Sequence, residues 1–556
     1  MTIAPDEHAR EAGPPHLFPA PAIVIAVAAF ALLVPMFFLG NPSGHDFEFH
    51  LNSWMEVANQ WKQGIIYPRW AAMAHYSYGE GRFLFYPPAS WILGGLLGLV
   101  LPWAVVAPAF IWIALSAAGV SMFLLARQWL SRADATFAAA LYALNPYHIV
   151  IIYWRSAFAE LLASALLPLL LLFVLRADQE GRKVIIPLSL IVAGAWLTNA
   201  PAADMVSYSL ALLVVVVAIV RRSPRILLYG AAAVVLGAAL SGFYLLPAIY
   251  EEKWVNIAQV LSPGVRPQDN FLFTIIADPD HNRFNLLVST MAVSEMVVLL
   301  VAAFLVRNSR RNQPQLWWTL AAWSAAAMLL MFRLTLPFWE HLPKLRFVQL
   351  PWRWLLCLNI PLALFIASGM RRWMSRTLVC LVMLGVIATG WHKIQTPWWD
   401  SADDIAEMQD NLEEGRGYEG TDEYVPAGAD PYEIRQDVRK VVIEGGGQVR
   451  IHVQQWSPES RLFTADVTQP VRAVLRLFNY PAWRVEVNGQ VVPVETHEIT
   501  GQMMLVLPPG NNRVRITFMR TWDRTLGGVI SAMTVVFMVG VLAADKRRSK
   551  FSMSST

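Results

Sequence analysis

Cysteine is nearly missing from this chain. Only Cys357 and Cys380 occur in 556 residues, and both lie inside apolar runs. They cannot build a disulfide framework or a cysteine-based metal site. Charge is scarce too: Asp, Glu, Lys and Arg make up 15% of the residues, against about 25% in ordinary soluble domains. With 56% hydrophobic residues and a mean hydropathy of +0.42, the chain is neither a single soluble enzyme nor a disordered polymer. Neither sign of charge dominates. The net +4 comes from short basic clusters beside apolar runs, which is not the footprint of a nucleic-acid binder. The sequence has no P-loop, no GxGxxG, no HExxH and no nucleophile elbow, which argues against ATP-driven transport within the chain and against nucleotide cofactors. No internal repeat or low-complexity segment stands out.

What is abundant is apolar sequence. Runs long enough to cross a bilayer, about 17–25 residues, lie near 20–40, 103–126, 133–152, 156–175, 184–199, 203–220, 226–249, 284–306, 316–337, 353–370, 374–392 and 525–544. They predict about twelve spans. The 23 Trp suit membrane interfaces. Basic clusters at Arg127/Arg132, Arg176/Arg182/Lys183, Arg221/Arg222/Arg225, Arg307/Arg310/Arg311, Arg371/Arg372/Arg376 and Lys546/Arg547/Arg548/Lys550 fall at every second connection. The positive-inside rule makes these connections cytoplasmic and places both termini inside. One shorter run, 88–101, is bracketed by prolines. The parity of the charge clusters predicts that it lies at the outer interface. The first span follows Arg10 and shows no clear cleavage site, so it reads as retained.

The sequence divides into a multispan region 1–395 with a first external loop 41–87, an extracytoplasmic segment 396–522, and a final span with a basic tail, 523–556. Within the external segment, short alternating runs at 449–456, 461–467, 471–478, 483–495, 503–508 and 513–519 predict an antiparallel β-sandwich over about 435–520. Asn488-Gly489, between alternating apolar residues, marks a two-residue hairpin.

Polar residues gather on the predicted outer side. The first external loop opens with GHDFEFH at 44–50. If helical, Asp46 and His50 share a face at i,i+4, and His45 and Glu48 a neighbouring one at i,i+3. Asp46 is the candidate general base, oriented by His50 or Glu48; the same group also admits a divalent cation. The blander alternative is a polar juxtamembrane helix. Arg69, Arg155, Arg346 and Arg353 are candidates for a phosphate headgroup, against snorkelling interface arginines. Glu160, with Arg155 in YWRSAFAE at 153–160, is a further candidate for the substrate site, and the two read equally as a structural ion pair. His148 reads as a packed core histidine. Glu295 sits in the middle of a predicted span, where a carboxylate costs about 2.5–3.5 kcal/mol on insertion scales. It is either protonated or paired with an arginine, and it would be central in a proton-coupled transporter.

The order of a span, an acidic residue opening a long first external loop, many spans and then an outward soluble domain resembles the GT-C superfamily of integral-membrane glycosyltransferases. GHDFEFH at 44–50, YWRSAFAE at 153–160, RFVQLPWRW at 346–354, GTDEYVP at 420–426 and FNYPAWRVEVNG at 478–489 resemble bacterial membrane proteins labelled 6-pyruvoyl-tetrahydropterin synthase-related. The label does not imply pterin chemistry, since nothing here resembles a three-histidine zinc site. The resemblance implies a GT-C-like fold in a bacterial inner membrane, a polyprenyl-phosphate sugar as donor, and a glycan or protein acceptor. It matches Asp46 to the first-loop acid. Asp46-Phe47-Glu48 is not a DxD, which weakens metal dependence, and Asn199-Ala200-Pro201 replaces the His-Pro often found in related turns. The alternatives are a lipid or solute transporter or flippase, and an inactive envelope-assembly scaffold.

Overall fold

The computed structural model describes residues 19–370, 372–394, 399–444 and 449–554. Arg10 and Arg371, which entered the orientation argument, lie outside the described residues. Helices dominate up to residue 394. Eight helical stretches are long and apolar enough to cross a membrane, or ten if two bent pairs are each one span. The twelve runs expected from sequence do not map one to one. Arg225–Leu240 and Gly242–Trp254 meet at 76°, and Pro314–Leu330 and Arg333–His341 at 91°. The stretch Phe158–Thr198 is folded back on itself: Gly181 takes a φ of +57° and Gly194 returns against Leu166. It therefore holds the two runs read separately from sequence. The outward faces explain the scarcity of charge. Val297, Leu300, Val301 and Phe304 on Pro279–Leu305 are exposed, a surface that lipid satisfies and water does not.

The helix Pro88–Gly98 has eleven residues. At 1.5 Å per residue it reaches about half of a ~30 Å hydrocarbon core. It packs against the helix Phe47–Lys62 of the first loop, where Gly94 lies flat on the Trp54 indole and leaves no room for a Cβ.

Two antiparallel sheets follow. One has the strand order Val441–Ile443, Val471–Phe478, Gln502–Leu507, Glu495–Thr496. The other runs Arg450–Ser457, Ser460–Val467, Gly510–Phe518, Trp483–Val487, Gln490–Val491. Alternation puts Phe463, Ala465, Val514 and Ile516 of one sheet and Ala473, Leu475, Met503 and Leu505 of the other into a shared core, as period-2 patterning requires. The expected hairpin is present: Val487 pairs with Gln490 across Asn488 (φ +53°) and Gly489 (φ +84°), the left-handed pair that a type I′ turn needs.

The first loop joins the two regions. Trp70, Tyr78 and Phe85 belong to the same apolar core as the sheets. Asn41–Pro42 pairs with Trp399–Asp400. A buried polar network ties residues 56–82 to 418–421. Tyr418 donates to Glu56 at 2.6 Å, Arg82 donates to Glu80 at 2.5 Å, and the Thr421 N–H donates to the other Glu80 oxygen at 2.9 Å. Burial opposes ionisation of Glu80, but the Arg82 guanidinium and the His75 ring bring its carboxyl down to about 2.

Candidate active site

The motif at 44–50 is not helical throughout. The helix starts at Phe47, and Asp46 is its N-cap residue, with φ −101° and ψ 9° and no capping hydrogen bond from its side chain. Residues 44–46 instead dock on the turn at 154–156. The Asp46 N–H donates to Arg155 O at 2.8 Å, the His45 N–H to Trp154 O at 3.3 Å, and the Gly44 N–H to Ser156 Oγ at 3.1 Å. That turn is unusual. Ile151–Arg155 is a π-helical turn, and Ser156 follows it with φ +50°. Such insertions re-aim the chain and often mark functional sites. Ser156 Oγ also donates to Pro42 O at 3.0 Å, fixing the loop from its other side.

Gly44 is required at this junction. A Cβ there would sit 2.6 Å from Trp154 O and from Ser156 Oγ, and 2.8 Å from the Arg155 carbonyl carbon. Gly44→Ala is expected to destabilise the protein by about 1–3 kcal/mol, as overpacking does, and to lower the thermal unfolding midpoint in detergent. An unchanged midpoint would contradict this docking.

Asp46 keeps about a third of its side chain exposed, and its Oδ1 lies 2.7 Å from His45 Nδ1. Burial opposes its ionisation, but the hydrogen bond and charge of His45, together with Arg155 and His50, hold the carboxyl well below the usual range. The expectation that His50 or Glu48 orients Asp46 is corrected here: His45 does so. Asp46 and His50 are joined at i,i+4 only through the backbone, the His50 N–H donating to Asp46 O at 3.1 Å, because Asp46 is the N-cap and its side chain turns to His45. His50 is buried against Phe49, Trp54, Tyr86 and Phe158, with Ser90 Oγ 3.4 Å from Nδ1. Burial pushes it down to about 4 despite the pull of Asp46, so it is neutral at pH 7. Glu48 lies elsewhere; burial, then Asp400 and Glu419, raise its carboxyl. Among the described residues no three His, Cys, Asp or Glu side chains converge as a metal cage.

Behind Asp46 lies a second layer. Glu160 is 1% exposed and collects three partners. Tyr147 donates at 2.5 Å, Arg155 Nη1 donates at 2.6 Å, and Arg353 Nε lies 3.1 Å away. That last approach is off the line of a hydrogen bond and leaves the Arg353 Nε–H without an acceptor. Arg353 Nη1 donates to Val348 O at 2.7 Å and to Gln349 Oε1 at 3.0 Å, while Arg155 stacks over Trp352 at 5.2 Å. Three separate sequence segments thus bring Asp46, Arg155, Glu160 and Arg353 together, two carboxylates and two guanidiniums. The structural pairing of Arg155 with Glu160 is present. Tyr147 and Trp352 were not singled out as site residues from sequence; Pro146 and Pro351 beside them, in NPYH and QLPW, were the available signal.

Two predicted arginines do not join this group. Arg346 is exposed and lies over Phe347 at 5.2 Å, with no ion pair among the described residues. Arg69 lines a different cavity, beside Tyr67 and Tyr244. His148 is buried, with Nδ1 3.1 Å from Ala143 O, as a core histidine should be. Glu295 is buried in Pro279–Leu305 beside Asn359, and no arginine pairs with it among the described residues.

A comparison with curated protein sequences finds no match. Among solved structures, the chain is similar to ArnT from Cupriavidus metallidurans bound to undecaprenyl phosphate, at TM-score 0.45 and 13% identity, covering 66% of this chain and 63% of that one. It is also similar to the arabinofuranosyltransferase AftD from Mycobacteria, at TM-score 0.41 and 17% identity, covering 67% of this chain and 26% of that one. The chain thus spans less than two thirds of either protein, and at these TM-scores neither likeness assigns a reaction. A family profile described as "6-pyruvoyl-tetrahydropterin synthase related domain; membrane protein" matches residues 83–396, more than half of the chain and including the Arg155, Glu160 and Arg353 cluster. The chain belongs to this 6-pyruvoyl-tetrahydropterin synthase-related family of membrane proteins.

Proposed function

We propose that the protein transfers a sugar from a polyprenyl-phosphate donor to a glycan or protein acceptor at the outer face of a bacterial inner membrane, with both termini cytoplasmic and the β-domain outside. The observation that carries this reading is the placement of one partly exposed, ionised carboxylate, Asp46, over two guanidiniums that share a single buried counter-ion. Asp46 accepts the hydrogen bond of the acceptor hydroxyl and takes its proton as the new C1–O bond forms. The C1–O bond to phosphate breaks, and the electron pair leaves with the phosphate. Arg155 and Arg353 carry one more positive charge than Glu160 neutralises, an excess available to that leaving oxyanion. His45 holds the Asp46 carboxylate in place. The β-domain and residues 399–429 cover the first loop and frame the acceptor side.

The test is transfer or hydrolysis of a panel of polyprenyl-phosphate sugars by purified protein in nanodiscs, with and without EDTA. Turnover that survives EDTA supports a metal-free site built on Asp46. Folded protein inert toward every donor would remove the reading. A transporter is the second reading, because Glu295 is a buried carboxylate with no cationic partner among the described residues. Solute uptake or lipid flipping in vesicles that is abolished by Glu295→Gln and intact in Asp46→Asn would favour it.

A further inference from the structure

A second concentration of arginine lies outside the Asp46 group, where the first loop meets the final helix. A cavity of about 140 Å³ is bounded by Tyr67 and Arg69 of the loop, Tyr244 and Pro247 of Gly242–Glu251, and Arg520 and Arg524 around the start of Trp522–Ser554. The three guanidiniums are not equivalent. Arg524 is clamped by Glu251, with Nε and Nη2 each donating at 2.7 Å to a different carboxylate oxygen, and Tyr480 donates to the same carboxylate at 2.5 Å. Its charge is matched and its position fixed.

Arg69 and Arg520 have no ion-pair or hydrogen-bond partner among the described residues; Arg69 only flanks the Tyr67 ring, at 5.9 Å. Burial, and then the Arg524 charge, push the Arg69 guanidinium down, and Glu459 offsets this only from beyond ion-pair distance. Two unmatched guanidiniums facing one small cavity favour an anion with several acceptor oxygens, and phosphate fits that geometry.

The cavity shares a wall with an apolar groove. Tyr67 lines both, and the groove of about 460 Å³ continues along Trp61, Ile66, Trp91 and Ile92. Ile66, 89% exposed, forms the outer apolar edge of that groove. A cationic pocket and an apolar groove with a common wall describe an amphiphile. We infer that this is a second lipid site, which takes a phosphate-headed membrane lipid with its phosphate between Arg69 and Arg520 and its chain in the groove. None of its lining residues belongs to the Asp46 group, so the inference does not rest on the transfer reading. The lipid would brace the joint between the first loop, the bent helix pair and the final helix.

The experiment is native mass spectrometry of delipidated full-length protein with phosphatidylglycerol, diacylglycerol and inorganic phosphate in separate arms, polyprenyl phosphates being left out because the Asp46 group is proposed to take them. Wild type and Asp46→Asn should retain phosphatidylglycerol. Monodisperse Arg69→Gln/Arg520→Gln protein should bind at least about tenfold more weakly, as expected for losing two charge-assisted contacts. Ile66→Asp, a surface change that leaves the fold intact, should weaken lipid binding and spare inorganic phosphate. Equal retention by the double arginine variant would overturn the site. So would diacylglycerol or inorganic phosphate binding as tightly as phosphatidylglycerol.

Discussion

Asp46→Asn is expected to reduce transfer by about 10²- to 10⁴-fold, the usual contribution of a positioned general base, with thermal stability close to wild type. The substitution is isosteric, and the asparagine oxygen can still accept from His45. The Asp46 N–H to Arg155 O bond that sets the loop is backbone and survives. What is lost is the charge and the ability to take a proton. The pH profile gives a second check. Because His45 and Arg155 hold the Asp46 carboxyl well below the usual range, wild-type activity should show no acid limb near the ordinary aspartate value. His45→Gln relaxes that hold and should bring such a limb into view. His50→Gln leaves the Asp46 contact intact and should not. Full activity in Asp46→Asn would remove the catalytic assignment.

The difference between His45 and His50 shows where the sequence stopped being legible. The spacing argument took 44–50 as helical to pair Asp46 with His50, whereas the helix starts at Phe47 and Asp46 is its N-cap. An N-cap side chain points by its own dihedrals and not by the helical period, so the i,i+4 partner was misassigned. The docking of Gly44 on Ser156 depends on a π-helical turn that no apolar period encodes. The hairpin at Asn488-Gly489 was legible because its chemistry is local: two left-handed residues in sequence. The convergence of Asp46, Arg155, Glu160 and Arg353 was legible only as a list of costly polar residues near span ends. Which of them touch is a tertiary fact. Arg69 illustrates this, since it too was a candidate for a phosphate headgroup and it faces another cavity.

Glu160→Gln should be the most destabilising single change at the site. Glu160 is buried, and it is the counter-ion of both Arg155 and Arg353. Removing its charge leaves two buried guanidiniums facing an amide that can match neither. Breaking one buried pair in this way costs about 3–5 kcal/mol, and the resulting fall in the unfolding midpoint is readable by fluorescence-detected thermal melts in detergent. The sign of a second mutation then separates structure from catalysis. Arg353→Met alone breaks the ion pair with Glu160 and the hydrogen bonds to Val348 O and Gln349 Oε1, and should destabilise. Added to Glu160→Gln, the same change removes an orphaned cation and should restore part of the lost stability, a coupling of the kind that neighbouring charges show. Activity should not return with it, because the guanidinium proposed to meet the leaving phosphate has gone. Recovery of both would make Glu160 and Arg353 a structural pair with no part in the chemistry. Recovery of neither would mean that the cluster is held by something other than its charges.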